Sequence, residues 1–140
     1  MKKEDNSNKI ILDLCGGTGS WSKPYKDAGY EVVNLTLPEY DITKVDFRNG
    51  CLAFPTKGRI DLIYYKTIYG VLAAPPCTMF SLARTRAKKP RNFSEGMEIV
   101  DACLRIVWEV RKNNKLAFWA LENPMGYLRQ FLGKPPFTFD

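Results

Sequence analysis

The sequence predicts a single α/β domain in which a mostly parallel sheet is flanked by helices. Short apolar runs typical of buried strands alternate with helical segments, and the longest helix is strongly amphipathic. The 140 residues suffice for one hydrophobic core and are too few for two. We expect residues 1–8 to be a disordered polar lead and residues 9–140 to form the domain, with right-handed crossovers between its strands.

The first half of the chain begins with a strand, a glycine loop, a helix and a second strand. The first strand is predicted over residues 9–14, KIILDL, which run into the loop CGGTGS. The segment WSKPYKDAG predicts a short helix, with Pro24 in its first turn and Gly29 beyond its end. Residues 30–37, YEVVNLTL, are rich in β-branched residues and predict the second strand.

The middle of the chain leaves one strand assignment open. Residues 38–42, PEYDI, predict a turn, and residues 47–58, FRNGCLAFPTKG, predict a loop or a short helix. The next central strand is either residues 60–65, IDLIYY, or residues 69–74, YGVLAA.

The second half contains the longest helix, over residues 93–113, and then the last strand, residues 115–123. Asn92 followed by Glu95 predicts a capped helix start. Apolar residues recur at intervals of three and four, as in an amphipathic helix, at Ile99, Val100, Cys103, Leu104, Val107 and Val110.

The composition excludes several classes of protein. No apolar run has the length of a membrane span, and the N-terminus lacks the apolar core of a signal peptide, so we expect no membrane partner and a cytoplasmic location in a bacterium or phage-infected host. The net charge of +6 fits either a polyanionic partner such as DNA or a role in solubility. Basic residues concentrate in one stretch, at Arg84, Arg86, Lys88, Lys89 and Arg91.

The chain has four cysteines and no histidine. No two cysteines have the spacing of a zinc site, so we expect no bound metal and four free thiols in a reducing cytosol. The missing histidine excludes catalytic triads built on that residue. Cys103 lies on the apolar stripe of the long helix, and we expect it to be an ordinary core residue.

Three predicted strands end in chemically unusual segments: DLCGGTGS (13–20), PPCT (75–78) and LENP (121–124). Because parallel α/β sheets bind ligands outside the carboxyl ends of their strands, the sequence predicts a shared site there. In the first segment the glycines favour positive φ and close approach of a ligand to the backbone, although a tight strand–helix turn would also explain them. We expect Asp13 to hold loop amides or the charged end of an amino-acid-like ligand.

Cys77 and Glu122 are the reactive side chains at the other two strand ends. Pro75 and Pro76 restrict the backbone before Cys77, and we expect amides of residues 78–81 to face its sulfur and activate a nucleophile. The alternative for Cys77 is a small apolar core residue. The Glu122 carboxyl lies at the edge of an apolar run, where it is either an acid of the site or a surface residue before a turn.

These three segments, in this order, resemble the DNA cytosine-5 methyltransferase family over roughly residues 9–130, and most closely its compact versions from bacteriophages and mobile elements. The resemblance implies a Rossmann-like fold that binds S-adenosylmethionine. It also implies that the catalytic residues Cys77 and Glu122 act on cytosine in DNA, with Cys77 adding to C6 of the base and Glu122 contacting its N3 and amine. The substrate-binding residues it implies are Pro76, Ser81, Arg84 and Asn123.

The resemblance also implies a cofactor site. Alignment of the second strand puts Leu37 where the family has the acid that holds the ribose, with Thr36 before it, and leaves Glu39, two residues on, as the acid that could serve. The cofactor-binding residues that it implies are Asp13, Cys15, Gly16, Gly17, Thr18, Gly19, Thr36, Asp41 and Ile42. The chain carries no counterpart of the family's target-recognition domain, so we expect self-association or a further C-terminal segment to supply the rest of the site. Two alternatives stay open: the same chemistry on RNA or a free pyrimidine nucleotide, and a non-catalytic module that binds the cofactor or DNA.

Overall fold

The computed structural model describes residues 4–81, 90–123 and 126–136. Single 3-10 turns lie at Ile42–Lys44 and Tyr65–Thr67. The strands and helices, numbered in chain order, are β1 Ile10–Leu14, α1 Lys23–Asp27, β2 Glu31–Leu35, β3 Asp46–Arg48, β4 Cys51–Thr56, β5 Arg59–Tyr64, β6 Ile68–Ala73, α2 Phe93–Asn113, β7 Phe118–Leu121 and α3 Leu128–Leu132.

Four of the strands form a parallel sheet in the order β2-β1-β6-β7, and α2 packs on it. The predicted mixed α/β class with a mostly parallel sheet is therefore confirmed. Of the two segments proposed for the central strand, β6 is the one that pairs with β1. Its residues are buried almost without interruption, as a strand covered on both faces requires.

The remaining strands form a separate antiparallel sheet in the order β3-β4-β5. β5 overlaps the strand predicted over residues 60–65, whereas β3 and β4 lie where the sequence pattern predicted a loop or short helix. That prediction is wrong because it overlooked two hairpin turns, each with a glycine at positive φ. Gly50 has φ 86° between β3 and β4, and Gly58 has φ 87° between β4 and β5. Asn-Gly between extended segments is a strong hairpin signal, and Pro55 is tolerated because it lies next to the second turn.

The core lies between α2, the parallel sheet and the antiparallel sheet. One apolar face of α2 contributes Ala102, Cys103, Ile106, Val107 and Val110, which pack with residues of β1 and β6 and with Leu52, Phe54 and Ile63 of the antiparallel sheet. A smaller cluster of Phe80, Val100 and Leu128 joins α2 to α3 and to the segment after β6. Cys103 is fully buried, as predicted for a core residue.

Polar side chains near the start of the described chain contact the rest of the domain. In the described part of the lead, the Asn6 amide donates to the Ala28 carbonyl at 3.1 Å. Lys9, at the start of the domain, contacts Glu4 at 2.7 Å and lies over the Tyr69 ring. None of the helices within the described ranges is long and apolar enough to cross a bilayer.

The capped start of α2 provides a test of its local stability. Asn92 has extended backbone dihedrals, and its side chain accepts a hydrogen bond from the Glu95 amide at 3.1 Å. We expect Asn92→Ala to lower the free energy of unfolding in urea by about 1 kcal/mol, because the Glu95 amide loses its partner. Asn92→Ser should retain most of that stability, and equal stability of wild type and Asn92→Ala would contradict the assignment of the cap.

Candidate functional site

The four parallel strands end side by side. The pairing register sets Leu14 beside both Leu35 and Ala73, and Ala73 beside Leu121. Backbone hydrogen bonds continue past the strand ends, from Cys15 N to Leu35 O at 2.9 Å, from Ala74 N to Leu14 O at 3.0 Å, and from Glu122 N to Ala73 O at 2.8 Å. The three chemically unusual segments of the sequence therefore begin at one edge of one sheet.

The glycine loop after β1 turns sharply through left-handed backbone conformations. Cys15, Gly17 and Gly19 have φ values of 59°, 56° and 81°, and the Gly19 amide closes the turn on the Gly16 carbonyl at 2.9 Å. Left-handed φ is unusual for a side chain such as that of Cys15. At Gly16 a Cβ atom would collide with the Asp13 carboxyl group and lie 2.5 Å from Asn34 Oδ1, so only glycine fits there.

Asn34 and Thr36 hold the glycine loop against β2. The Asn34 amide donates to the Gly17 carbonyl at 2.9 Å, and the Thr36 hydroxyl accepts from the Gly17 amide at 3.3 Å. Sequence reasoning assigned Thr36 to the cofactor and missed Asn34. A polar residue inside the apolar strand YEVVNLTL was the signal that marked it. Thr18 lies on the exposed side of the loop, where its hydroxyl and that of Ser20 are 2.8 Å apart.

Asp13 is a fully buried carboxyl group beneath the glycine loop. The Ser22 hydroxyl donates to its Oδ2 at 2.5 Å, and Oδ1 is buried without a partner among the described residues. Burial raises the pKa of Asp13, and the hydrogen bond from Ser22 acts in the opposite direction. Asp13 thus bonds the residue that precedes α1, where the sequence predicted loop amides or a ligand.

A cavity of about 180 Å³ opens beside the glycine loop at the end of β1. It lies where the sheet order reverses, between the segments that follow β1 and β6, which is the usual ligand position in such sheets. Pro76, predicted to contact a substrate, lines this cavity together with predicted cofactor residues. The complete lining is Cys15, Leu35, Thr36, Leu37, Tyr40, Asp41, Ile42, Pro76 and Ile99.

Asp41 is the carboxylate in the cavity wall. Its Oδ1 accepts from the Thr43 amide at 3.0 Å and from the Thr43 hydroxyl at 2.6 Å, which orients the side chain. Its Oδ2 accepts no hydrogen bond from the part of the chain that the structure describes. One carboxylate oxygen therefore remains for a donor group of a ligand.

The other carboxylate near this wall, that of Glu39, is bound by the antiparallel sheet. Arg59 of β5 contacts Glu39 at 3.0 Å and also Asp61 at 2.8 Å. Tyr40 donates to Asp61 at 2.5 Å, and this hydrogen bond is the main reason that the pKa of Tyr40 is raised. The antiparallel sheet thus anchors the 37–41 segment that forms one wall of the cavity, with Glu39 engaged by Arg59.

Cys77 lies at the start of a tight turn after β6 and is partly exposed. The Phe80 and Ser81 amides donate to the Cys77 carbonyl oxygen at 2.9 and 2.8 Å. The prediction that such amides face the sulfur is wrong for these two donors, because the turn closes on the backbone. The turn itself is held by Phe80, which is fully buried in the smaller core cluster.

Glu122 and Asn123 follow β7 on the same edge, next to the segment that carries Cys77. The Asn123 amide donates to the Pro75 carbonyl at 3.0 Å, while its Oδ1 is buried without a partner among the described residues. Glu122 is half-buried, and its backbone amide bonds Ala73. Glu122 and Asn123 are therefore hydrogen-bonded to Ala73 and Pro75, which precede Cys77 in the chain.

The remaining predicted residues lie around the Cys77 turn. Ser81 forms an antiparallel bridge with Gly126, which joins the segment after β6 to the segment after β7. Arg84 and the rest of the basic stretch up to Lys89 lie outside the described residues. Arg91, the last member of that stretch, donates to the carbonyls of Met79 and Ser81.

Cys51 and Cys103 are buried, and a second cavity opens beside α2. A hydrogen bond to Cys15, together with burial, raises the pKa of Cys103, and Cys51 is buried in β4. Over the described ranges, no three acidic or cysteine side chains are grouped as a metal site.

A wider cavity of about 420 Å³ is lined by Ile42, Thr43, Val45, Asp46, Phe47, Glu98, Asp101, Ala102 and Arg105, and only Ile42 among these is a predicted site residue.

Comparisons of the chain with protein-family models, with curated proteins and with solved structures found no match. A function for this chain therefore has to be inferred from the arrangement of its strand ends.

The buried carboxyl group of Asp13 predicts a pH dependence of stability. Its raised pKa means that, above its ordinary value of 3.8, the folded state binds more protons than the unfolded state. The stability contributed by protonated Asp13 is present below that value and is lost as the pH rises through the folded pKa. We expect the unfolding free energy of wild type, measured in urea, to fall relative to Asp13→Asn as the pH is raised.

Ser22→Ala sharpens this test, because it removes the hydrogen bond that opposes the shift. As the pH is raised, the unfolding free energy should fall by more in Ser22→Ala than in wild type. A pH-independent difference between wild type and Asp13→Asn would contradict the assigned protonation of Asp13.

Proposed function

We propose that this protein is an S-adenosylmethionine-dependent methyltransferase that acts on C5 of cytosine in DNA, with a Rossmann-like fold. The observation that carries the proposal is the meeting of three segments at one sheet edge. Cys15 of the glycine loop and Pro76 line one cavity, and Cys77 comes next in the chain after Pro76. The Glu122 backbone amide donates a hydrogen bond to the Ala73 carbonyl, and the Asn123 side-chain amide donates one to the Pro75 carbonyl.

The cavity fits the adenine end of the cofactor. Its lining is apolar apart from a few groups, and it is smaller than the roughly 300 Å³ or more typical of a site enclosing a whole drug-sized ligand. A flat heterocycle would pack among Leu37, Ile42 and Pro76, and the unpaired Oδ2 of Asp41 would accept from its exocyclic amine. The methionine end would lie along the glycine loop, where Gly17 faces open space and permits close approach.

Among the described residues, the cavity lining offers the ribose no second carboxylate beside Asp41. Glu39 is outside the lining and contacts Arg59, and the Thr36 hydroxyl accepts from the glycine loop. We therefore assign no acid to the ribose.

In the proposed reaction, C5 of cytosine becomes nucleophilic only after covalent addition at C6. The Cys77 thiol loses its proton to solvent and its sulfur bonds to C6 as the C5–C6 double bond opens, while Glu122 contacts N3 as charge develops on the ring. The bound cofactor supplies the methyl group that C5 takes up. Loss of the C5 proton to solvent then breaks the bond between C6 and the Cys77 sulfur and restores the aromatic ring.

The DNA partner is supported by charge. The net charge of +6 favours a polyanion, and the target base must leave its stack to reach a thiol at a sheet edge.

Trapping of a covalent intermediate tests this chemistry. With S-adenosylmethionine and a duplex that contains 5-fluorocytosine, we expect a stable protein–DNA adduct, because fluorine at C5 cannot leave as a proton would. Cys77→Ser should abolish the adduct on denaturing gels and in intact mass spectra. Cys51→Ser is the matched control, since Cys51 lies in β4 and not at the ends of the parallel strands. This variant should form the adduct. No adduct with wild type, together with retained cofactor binding, would favour a non-catalytic module.

The role of Asp41 has a separate test. Asp41→Asn replaces an acceptor oxygen by an amide, and we expect the Kd for the non-reactive analogue sinefungin to rise by about tenfold or more in calorimetry. Asp46→Asn, in the wider cavity, should bind with the affinity of wild type. Unchanged affinity in Asp41→Asn would place the adenine elsewhere.

A further inference from the structure

Arg91 binds the backbone of the turn that carries Cys77. Its Nη1 donates to the Met79 carbonyl at 2.7 Å and its Nη2 to the Ser81 carbonyl at 3.2 Å. The guanidinium carbon also lies 4.7 Å from the centre of the Tyr127 ring. One side chain therefore contacts both the segment after β6 and the segment after β7.

The turn that Arg91 holds is the same turn that closes on Cys77. Phe80, between the two carbonyls that Arg91 binds, donates its amide to the Cys77 carbonyl and accepts at its own carbonyl from Tyr127 N at 2.8 Å. A Cβ atom at Gly126 would collide with the Phe80 carbonyl, so the two segments are in direct backbone contact. Movement of Met79 and Ser81 would therefore move the Cys77 backbone as well.

The geometry requires arginine. A planar guanidinium can donate from two nitrogens to two carbonyls while its face stacks on an aromatic ring, whereas a lysine ammonium is a single point of charge. Hydrogen bonds from an ionised donor are also stronger than neutral ones. A lysine at this position would keep the charge and lose the paired contacts with Met79, Ser81 and Tyr127.

We propose that Arg91 is a positioning residue that fixes the Cys77 turn against the segment after β7, and this rests on the proposed function for its catalytic consequence. Arg91 belongs to the basic stretch of the sequence, and its guanidinium donates to protein carbonyls. Arg91 would therefore set the position of the Cys77 thiol relative to the target base. Small displacements of a reacting group cost large factors in rate.

The first experiment measures local order without any substrate. In hydrogen exchange of the uniformly labelled protein, we expect the Phe80 and Ser81 amides to exchange about tenfold faster in Arg91→Lys and Arg91→Gln than in wild type. The amides of β1 should keep their rates. Arg105→Gln is the matched control, because the Arg105 guanidinium also lies over an aromatic ring, that of Phe47, at 5.6 Å, and Arg105 lies within α2 rather than before it. Unchanged exchange of Phe80 and Ser81 in both Arg91 variants would overturn the proposal.

The second experiment measures the chemistry. Adduct formation with 5-fluorocytosine DNA should slow by about 10- to 100-fold in Arg91→Gln, with little recovery in Arg91→Lys, while the Kd for sinefungin stays at the wild-type value. A wild-type adduct rate in Arg91→Gln would overturn the catalytic consequence. Failure of wild type to form an adduct would instead overturn the proposed function, and the exchange experiment would still decide whether Arg91 orders the turn.

Discussion

The arrangement of the site depends on one constraint: four parallel strands end in register at the same edge. Because Leu14 pairs with both Leu35 and Ala73, and Ala73 with Leu121, the residues beyond these positions emerge as neighbours. A shift of β6 by one residue would turn its side chains to the opposite faces of the sheet and move the Cys77 segment relative to the glycine loop. Burial of β1 and β6 makes such a shift costly, since Leu12 and Val71 are fully buried.

Much of the fold is determined by local patterns. The parallel sheet, the short helix after the glycine loop and the bounds of α2 could be predicted, because apolar periodicity and capping residues act over a few positions. The antiparallel sheet could have been predicted from Asn49-Gly50 and Lys57-Gly58, because a glycine in a short turn between extended segments is a hairpin signal. Its role as the anchor of Tyr40 through Asp61 depends on a contact across 21 residues.

The site was predicted as three segments, and the contacts between them were not. Three side-chain hydrogen bonds depend on the completed sheet: Asn34 to the glycine loop, Asn123 to Pro75 and Arg91 to the Cys77 turn. Periodicity cannot reveal such pairs. For the same reason the sequence could not show that Glu39 is engaged by Arg59, or that the amides after Cys77 bond its carbonyl.

The central claim is that the ends of β1, β2 and β6 form one site for an adenosine-containing ligand. Titration of the isotope-labelled protein with sinefungin, followed by amide chemical shifts, tests it most directly. A single site predicts that the amides of Gly17, Asp41 and Cys77 shift together with one Kd. Shifts confined to residues around the wider cavity, such as Asp46 and Arg105, or no shifts at saturating ligand, would contradict it.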